Sequence, residues 1–229
     1  MNALSHKERA VLIDLDGTLV DSASDIVAAA NRMLVELGAV SLSHELVASF
    51  IGNGVPTLVR RVIAASPTLA DADPAEVKAV FDRHYCETNG RFSRVYPGVM
   101  EGLLSLQQAG FQLGCVTNKP RALTDALLDT FALTAFFQVV VAGDSLPQMK
   151  PDPAPLLHAC AVLQVAPADA VLVGDSHVDV AASRAAAMPN FIVRYGYPGP
   201  AGLAALEADQ LVDSLAEVAL ILQRKPVAG

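Results

Sequence analysis

Short apolar runs and amphipathic stretches alternate along most of the chain. Residues 10–15, AVLIDL, form an apolar run broken by acids, which predicts a buried strand. A turn follows at Asp16-Gly17-Thr18. Ser22 or Ser24 then stands at the cap position of a helix reaching about Leu37, with apolar residues at Ile26, Ala30, Met33, Leu34 and Leu37. Gly38 stops it. Residues 41–94 read as helical throughout, with candidate helices at 44–50, 56–65 and 74–89, the last led by Pro74, and with no strand. Past a turn at Tyr96-Pro97-Gly98 the alternation resumes. Helices are expected at 98–109, 121–131, 153–163, 177–187 and 214–222, and strands at 111–117, 138–142, 170–174, 191–193 and 210–212. Residues 195–202, rich in Gly and Pro, read as a surface loop near the sheet edge.

Such a pattern predicts an α/β fold, a Rossmann-like parallel sheet with helices on both faces. The all-helical stretch reads as an α-helical cap inserted after the first strand. The expected division is a core of residues 1–19 and 97–229 and a cap of residues 20–96. With 229 residues, 52% hydrophobic and 17% charged, the chain is long enough for one sizeable core plus such an insert.

Charge and cysteine usage narrow the function. The formal net charge is -8 and no basic tract stands out, so nothing supports nucleic-acid binding. Residues 1–10 are polar and mixed in charge, without the order of a signal peptide. No segment is long and apolar enough to span a membrane. Cys86, Cys115 and Cys160 form no CxxC pair and read as reduced thiols, which together suggest a cytoplasmic protein.

In parallel sheets of this kind, ligands bind outside the carboxyl ends of the strands. The first strand ends in Asp14-Leu15-Asp16, two carboxylates that a straight strand would point the same way. Close like charges repel unless a cation joins them, although a strand ending in a solvated turn is an equal reading. Thr117-Asn118-Lys119 ends another strand ahead of a helix, where a hydroxyl and amides hold phosphate oxygens or simply cap the helix. Lys150, between an apolar strand and a proline-led helix, supplies a fixed positive charge or sits on the surface. Asp175 ends the next strand, followed by Ser176, and Asp179 lies one helical turn later. Together these four strand ends put carboxylates, a hydroxyl, an amide and a lysine around one crevice, a set that suits a hard ion such as magnesium.

The ordered motifs Asp14-Leu15-Asp16-Gly17-Thr18, Thr117-Asn118, Lys150-Pro151 and Gly174-Asp175 with Asp179 resemble those of the haloacid dehalogenase superfamily of phosphohydrolases. The resemblance covers nearly the whole chain, the inserted cap included. More narrowly, residues 15–22, Ile51-Gly52-Asn53-Gly54 and residues 193–197 are similar to bacterial phosphoglycolate phosphatases. The resemblance implies a Mg2+-dependent phosphomonoester hydrolase. In it Asp14 is the nucleophile that forms an aspartyl-phosphate, and Asp16 the general acid and base. Thr117, the Asn118 amide and Lys150 bind phosphoryl oxygens. Asp14, the Asp16 carbonyl and Asp175 hold the metal, with Ser176 and Asp179 behind them. The implied partner is a small phosphorylated metabolite, 2-phosphoglycolate, read by the cap loop Gly52, Asn53, Gly54 and by Arg60 or Arg61. For these cap residues an ordinary turn and a solvated helix face are competing readings.

Other small-metabolite or sugar-phosphate phosphatases and phosphomutases share the core motifs, so the motifs do not separate them. Asp16 argues against carbon–halogen displacement, whose leaving group needs no acid. A non-catalytic phosphate-binding module is a further alternative, disfavoured because every motif residue is present. A monomer and a homodimer are equally compatible with the sequence.

Overall fold

The computed structural model describes residues 9–199 and 201–224. Six parallel strands form one sheet: β1 (Ala10–Ile13), β4 (Gln112–Val116), β5 (Val139–Val141), β6 (Ala170–Gly174), β7 (Asn190–Val193) and β8 (Gln210–Val212), in the order β5-β4-β1-β6-β7-β8. The central strand β1 is flanked by β4 and β6, with Ile13 opposite Cys115 and Val173. Its side chains alternate with the period of two that a strand imposes. Val11 and Ile13 enter a cluster with Leu103, Leu106, Leu127 and Leu222. Those residues lie on helices α5 (Val99–Gln108), α6 (Arg121–Thr130) and α9 (Leu215–Arg224). Ala10 and Leu12 enter the opposite cluster, with Leu156, Cys160 and Ala182 from α7 (Ala154–Leu163) and α8 (His177–Ala185). Both faces of the sheet are therefore covered by helix, as expected for strands apolar on both sides.

Between β1 and α5 the chain makes four α-helices, α1 (Ala23–Glu36), α2 (His44–Ala48), α3 (Val55–Ala65) and α4 (Pro74–Thr88). They enclose a cluster of their own, including Met33, Leu34, Val62, Phe81 and Tyr85. Asp73 caps α4 by accepting from the Ala75 amide at 2.9 Å, with Pro74 at the first helical position. Asp25 of α1 is buried and accepts from the Gly90 and Phe92 amides, 2.7 Å each, and from the Ser93 hydroxyl. The exit of the helical segment is thereby fastened to its entrance. Among the described residues no helix is long and apolar enough to cross a membrane.

Three local expectations are corrected. The first strand ends at Ile13 rather than residue 15, because Gly17, at φ +90°, folds the chain back. The Leu15 carbonyl then receives the amides of Thr18, Leu19 and Val20. Second, a two-residue antiparallel ribbon pairs β2 (Val20–Asp21) with β3 (Arg94–Val95), so the helical pattern stops short of residue 94. Third, Ser22 occupies the N-cap of α1 but makes no capping bond. Its hydroxyl donates to Asp16 Oδ1 at 2.6 Å instead.

Candidate active site

The carboxyl ends of β1, β4 and β6 bring Asp14, Thr117 and Asp175 to one place, and the loop before α7 adds Lys150. All four are buried. Asp14, Asp175 and Asp179 each offer a carboxylate oxygen within 4.8 Å of the others. Lys150 Nζ lies 3.0 Å from Asp14 Oδ1 and 2.7 Å from Asp179 Oδ1, and donates to the Val116 carbonyl at 2.8 Å. The contact with Asp14 has ion-pair distance without hydrogen-bond alignment, so Asp14 Oδ1 is a buried oxygen with no hydrogen-bond partner.

The three acids are not equivalent. Burial pushes the Asp14 carboxyl up to about 7, with Lys150 working against the rise and Asp179 with it. Asp175 is raised well above the ordinary carboxyl range by burial and then by the charges of Asp179 and Asp14, despite hydrogen bonds from the Tyr197 amide (2.6 Å) and the Thr18 hydroxyl (3.1 Å). Asp179 is also opposed by burial. Lys150 and the hydrogen bonds from Ser176 and the Asp175 amide outweigh that effect and lower its pKa.

Asp179 is the saturated member. Its Oδ1 takes Lys150, and its Oδ2 takes the Ser176 hydroxyl (2.6 Å) and amide (3.1 Å) and the Asp175 amide (3.3 Å). Asp14 and Asp175 are two adjacent acids that burial drives toward protonation, one with an oxygen that has Lys150 at ion-pair distance but no aligned hydrogen bond. Such a donor set fits a divalent cation, which would supply the missing positive charge.

Asp16 shares the cavity with Asp14 but does not join the acidic cluster. Its Oδ1 accepts from Ser22 and from Lys119 Nζ at 3.3 Å. Asn118 Nδ2 bridges the carbonyls of Gly52 (2.9 Å) and Lys150 (2.8 Å), tying the helical segment to the sheet. Between them lies a partly open cavity. Its floor is Asp14, Asp16, Thr117 and Asn118, and its roof is largely apolar, with Ile26, Ile51, Val55, Leu58 and Phe81 beside Gly52, Gly54 and Tyr85.

Asn53, Arg60 and Arg61 do not line this cavity. Arg61 donates to the Phe50 carbonyl (3.1 Å) and to Asn53 Oδ1 (3.0 Å), bracing the loop from outside. Arg60 is exposed and, among the described residues, donates only to Thr57. The loop expected near the sheet edge follows β7, and its residues Gly196 and Tyr197 reach the acidic cluster. The Tyr197 amide holds Asp175, and its hydroxyl donates to Asp21 Oδ1 (2.7 Å) while accepting from the Ser22 and Ala23 amides. Gly196 lies so close to Asp175 and the Gly17 carbonyl that a Cβ would collide with both. Sequence reasoning also passed over Lys119 and Tyr85, which meet only through the fold.

Comparison with known proteins agrees with this geometry. Residues 11–193 match the family model of the haloacid dehalogenase-like hydrolases. The chain is 58% identical over 213 residues to a plasmid-borne phosphoglycolate phosphatase of Cupriavidus necator, covering 93% of this chain and 92% of that one. It is 44% identical over 219 residues to a phosphoglycolate phosphatase of Thiobacillus denitrificans, covering 94% and 96%. Among solved structures, a predicted phosphoglycolate phosphatase from Haemophilus somnus superimposes with a TM-score of 0.89 at 32% identity, covering 95% of this chain and 99% of the other.

Proposed function

The chain belongs to the haloacid dehalogenase-like hydrolase family, and on that premise we propose that it hydrolyses 2-phosphoglycolate to glycolate and phosphate with magnesium held at the acidic floor. The observation that carries the reading is the pair Asp14 and Asp175, two neighbouring buried carboxylates lacking enough positive charge, the first of them on the floor of the cavity. The names of the relatives support the substrate.

Asp14 attacks phosphorus. A bond forms from its carboxylate oxygen as the bond from phosphorus to the glycolate oxygen breaks, leaving an aspartyl-phosphate. Asp16, oriented by Ser22 and Lys119, gives a proton to the departing oxygen. It then takes a proton from the water that cleaves the aspartyl-phosphate and frees phosphate. Thr117, the Asn118 amide and Lys150 hold the phosphoryl oxygens as charge shifts onto them. Asp179 fixes Lys150 and, through Ser176, the turn that carries Asp175. Magnesium bound by Asp14, the Asp16 carbonyl and Asp175 would neutralise the carboxylates and polarise the phosphoryl group.

Residues 20–96 act in this reading as a cap that excludes water, with Gly52 and Gly54 bringing backbone close to the ligand. The three unpaired cysteines support a reducing compartment, the cytoplasm. The test is kcat/KM for 2-phosphoglycolate, a hexose phosphate and an aryl phosphate, with magnesium and with chelator. Phosphoglycolate is expected to win, and chelation to stop all three. A hexose phosphate in first place removes the substrate assignment, and a rate unmoved by exhaustive chelation removes the metal.

A further inference from the structure

Behind the cavity wall, against Asp16 and Tyr85, lies one buried charge that the mechanism does not fully use, that of Lys119. The Lys119 side chain is 0% exposed. Its ammonium contacts two residues that line the cavity, Asp16 and the hydroxyl of Tyr85, and lies 4.4 Å from the centroid of the Tyr85 ring. The other buried lysine makes a useful standard. Lys150 has two carboxylates and a carbonyl within 3.0 Å. Lys119 has a single carboxylate oxygen, at 3.3 Å, outside the range of about 2.7–2.9 Å usual for a charge-assisted bond. That oxygen is already engaged by Ser22 at 2.6 Å.

A buried ammonium so weakly neutralised is costly, and an incoming anion offsets that cost. Two donors are available to receive one. An ammonium has three N–H groups, and only two have acceptors among the described residues. Tyr85 accepts from Lys119, and no described residue accepts its own hydroxyl proton. Burial raises the Tyr85 phenol well above its ordinary value, so it keeps that proton. No cation is among the residues lining the cavity, and Arg60 and Arg61 are turned elsewhere.

We propose that Lys119 and Tyr85 form the subsite for the second anionic group of the substrate, its carboxylate, opposite the phosphoryl subsite at Lys150. This rests on the phosphoglycolate reading. Selectivity then comes from a lysine of the core and a tyrosine of α4, which meet only when the helical segment lies over the sheet. Apolar neighbours such as Phe81 and Leu58 strengthen the interaction by excluding water.

The experiment compares 2-phosphoglycolate with ethyl phosphate, which carries a methyl in place of the carboxylate. The readout is the ratio of the two kcat/KM values with saturating magnesium. Lys119→Met should lower that ratio about tenfold to a hundredfold, the worth of a hydrogen bond to a charged group. Tyr85→Phe should lower it roughly two- to tenfold, as for a neutral donor. Inhibition by glycolate should weaken in parallel. Lys119→Gln, which keeps a polar chain without charge, substitutes if the Met variant does not fold by far-UV circular dichroism. Equal losses on both substrates overturn the proposal, because Lys119 then acts only through Asp16. A wild type with no preference for phosphoglycolate overturns the substrate reading, and this subsite with it. A wild-type preference that the Lys119 variants leave intact overturns the subsite alone.

Discussion

The floor and the roof of the cavity are built by opposite means. At and beneath the floor, Asp14, Asp175, Asp179 and Lys150 are ionisable, buried and gathered around the strand ends, and each shifts the ionisation of the others. On the roof, Ile26, Ile51, Val55, Leu58 and Phe81 offer shape and dryness without charge. Losing a floor group leaves an unbalanced charge that nothing nearby can relax. Losing a roof group leaves a hole that neighbours partly fill. Chemistry should therefore be brittle to substitution on the floor and graded on the roof.

The contrast is sharpest at Asp14. Asp14→Asn removes the nucleophile with almost no change of volume. Turnover should fall by roughly 10⁴-fold or more, the scale seen when a nucleophile is deleted, with the far-UV spectrum unchanged. Substantial residual activity would take Asp14 out of that role. Lys150→Met comes next. Rates should drop by about 10²–10³-fold, as for loss of a donor to transition-state charge. In magnesium-free urea titrations it should also cost about 3–5 kcal/mol, because Asp14 and Asp179 lose their shared partner. An unchanged midpoint would mean that the floor is not held by charge.

The metal-free floor should also show itself through pH. The Asp14 carboxyl is raised from 3.8 to about 7, and Asp175 is raised as well. The fold therefore keeps protons that the unfolded chain has released. Their contribution to stability is whole below about 4 and is lost as pH rises toward about 7. Asp179 is lowered and acts oppositely, but only below its ordinary value of 3.8. Chelated protein should melt at a lower temperature at pH 8 than at pH 5, and magnesium should remove most of the difference. A metal-free Tm that is flat across this range contradicts the charge imbalance.

Roof substitutions should be milder. Leu58→Ala is expected to cost about 2–5 kcal/mol of stability in urea, and it should raise KM more than it lowers kcat. A collapse of kcat would show that the roof takes part in the chemistry. Smallest of all is the arginine pair. Arg61→Ala should cost about 1 kcal/mol through the loop it braces, and Arg60→Ala no more than about 0.5 kcal/mol. Equal, large effects on phosphoglycolate would return the carboxylate to these residues.

Much of the fold was legible because burial leaves strong patterns. The apolar run at residues 170–174 is β6 itself, and the run at 111–117 needed only trimming by one residue at each end to become β4. The ribbon of β2 and β3 was not legible, since two residues per strand carry no periodicity. The groups at successive strand ends could be read as one crevice because topology gathers such ends. Contacts made across the chain could not. Lys119 meets Tyr85 across 34 positions, and Tyr197 reaches Asp175 across 22. Neither tyrosine carries a local signal of its partner. Adjacent arginines on a helix are about 100° apart, so Arg60 and Arg61 never shared one role.

The ribbon has a consequence for modularity. Val20 and Val95 are register partners, so the helical segment leaves the sheet and returns to it at a single point. None of the ladders of the six-stranded sheet includes a residue between those two. A bundle of another size could be exchanged there, provided its ends arrive a strand-spacing apart and something replaces the clasp of Asp25 on Gly90, Phe92 and Ser93. The sheet would carry the same reactive floor into each chimera, and the transplanted bundle would bring its own choice of what lies above it.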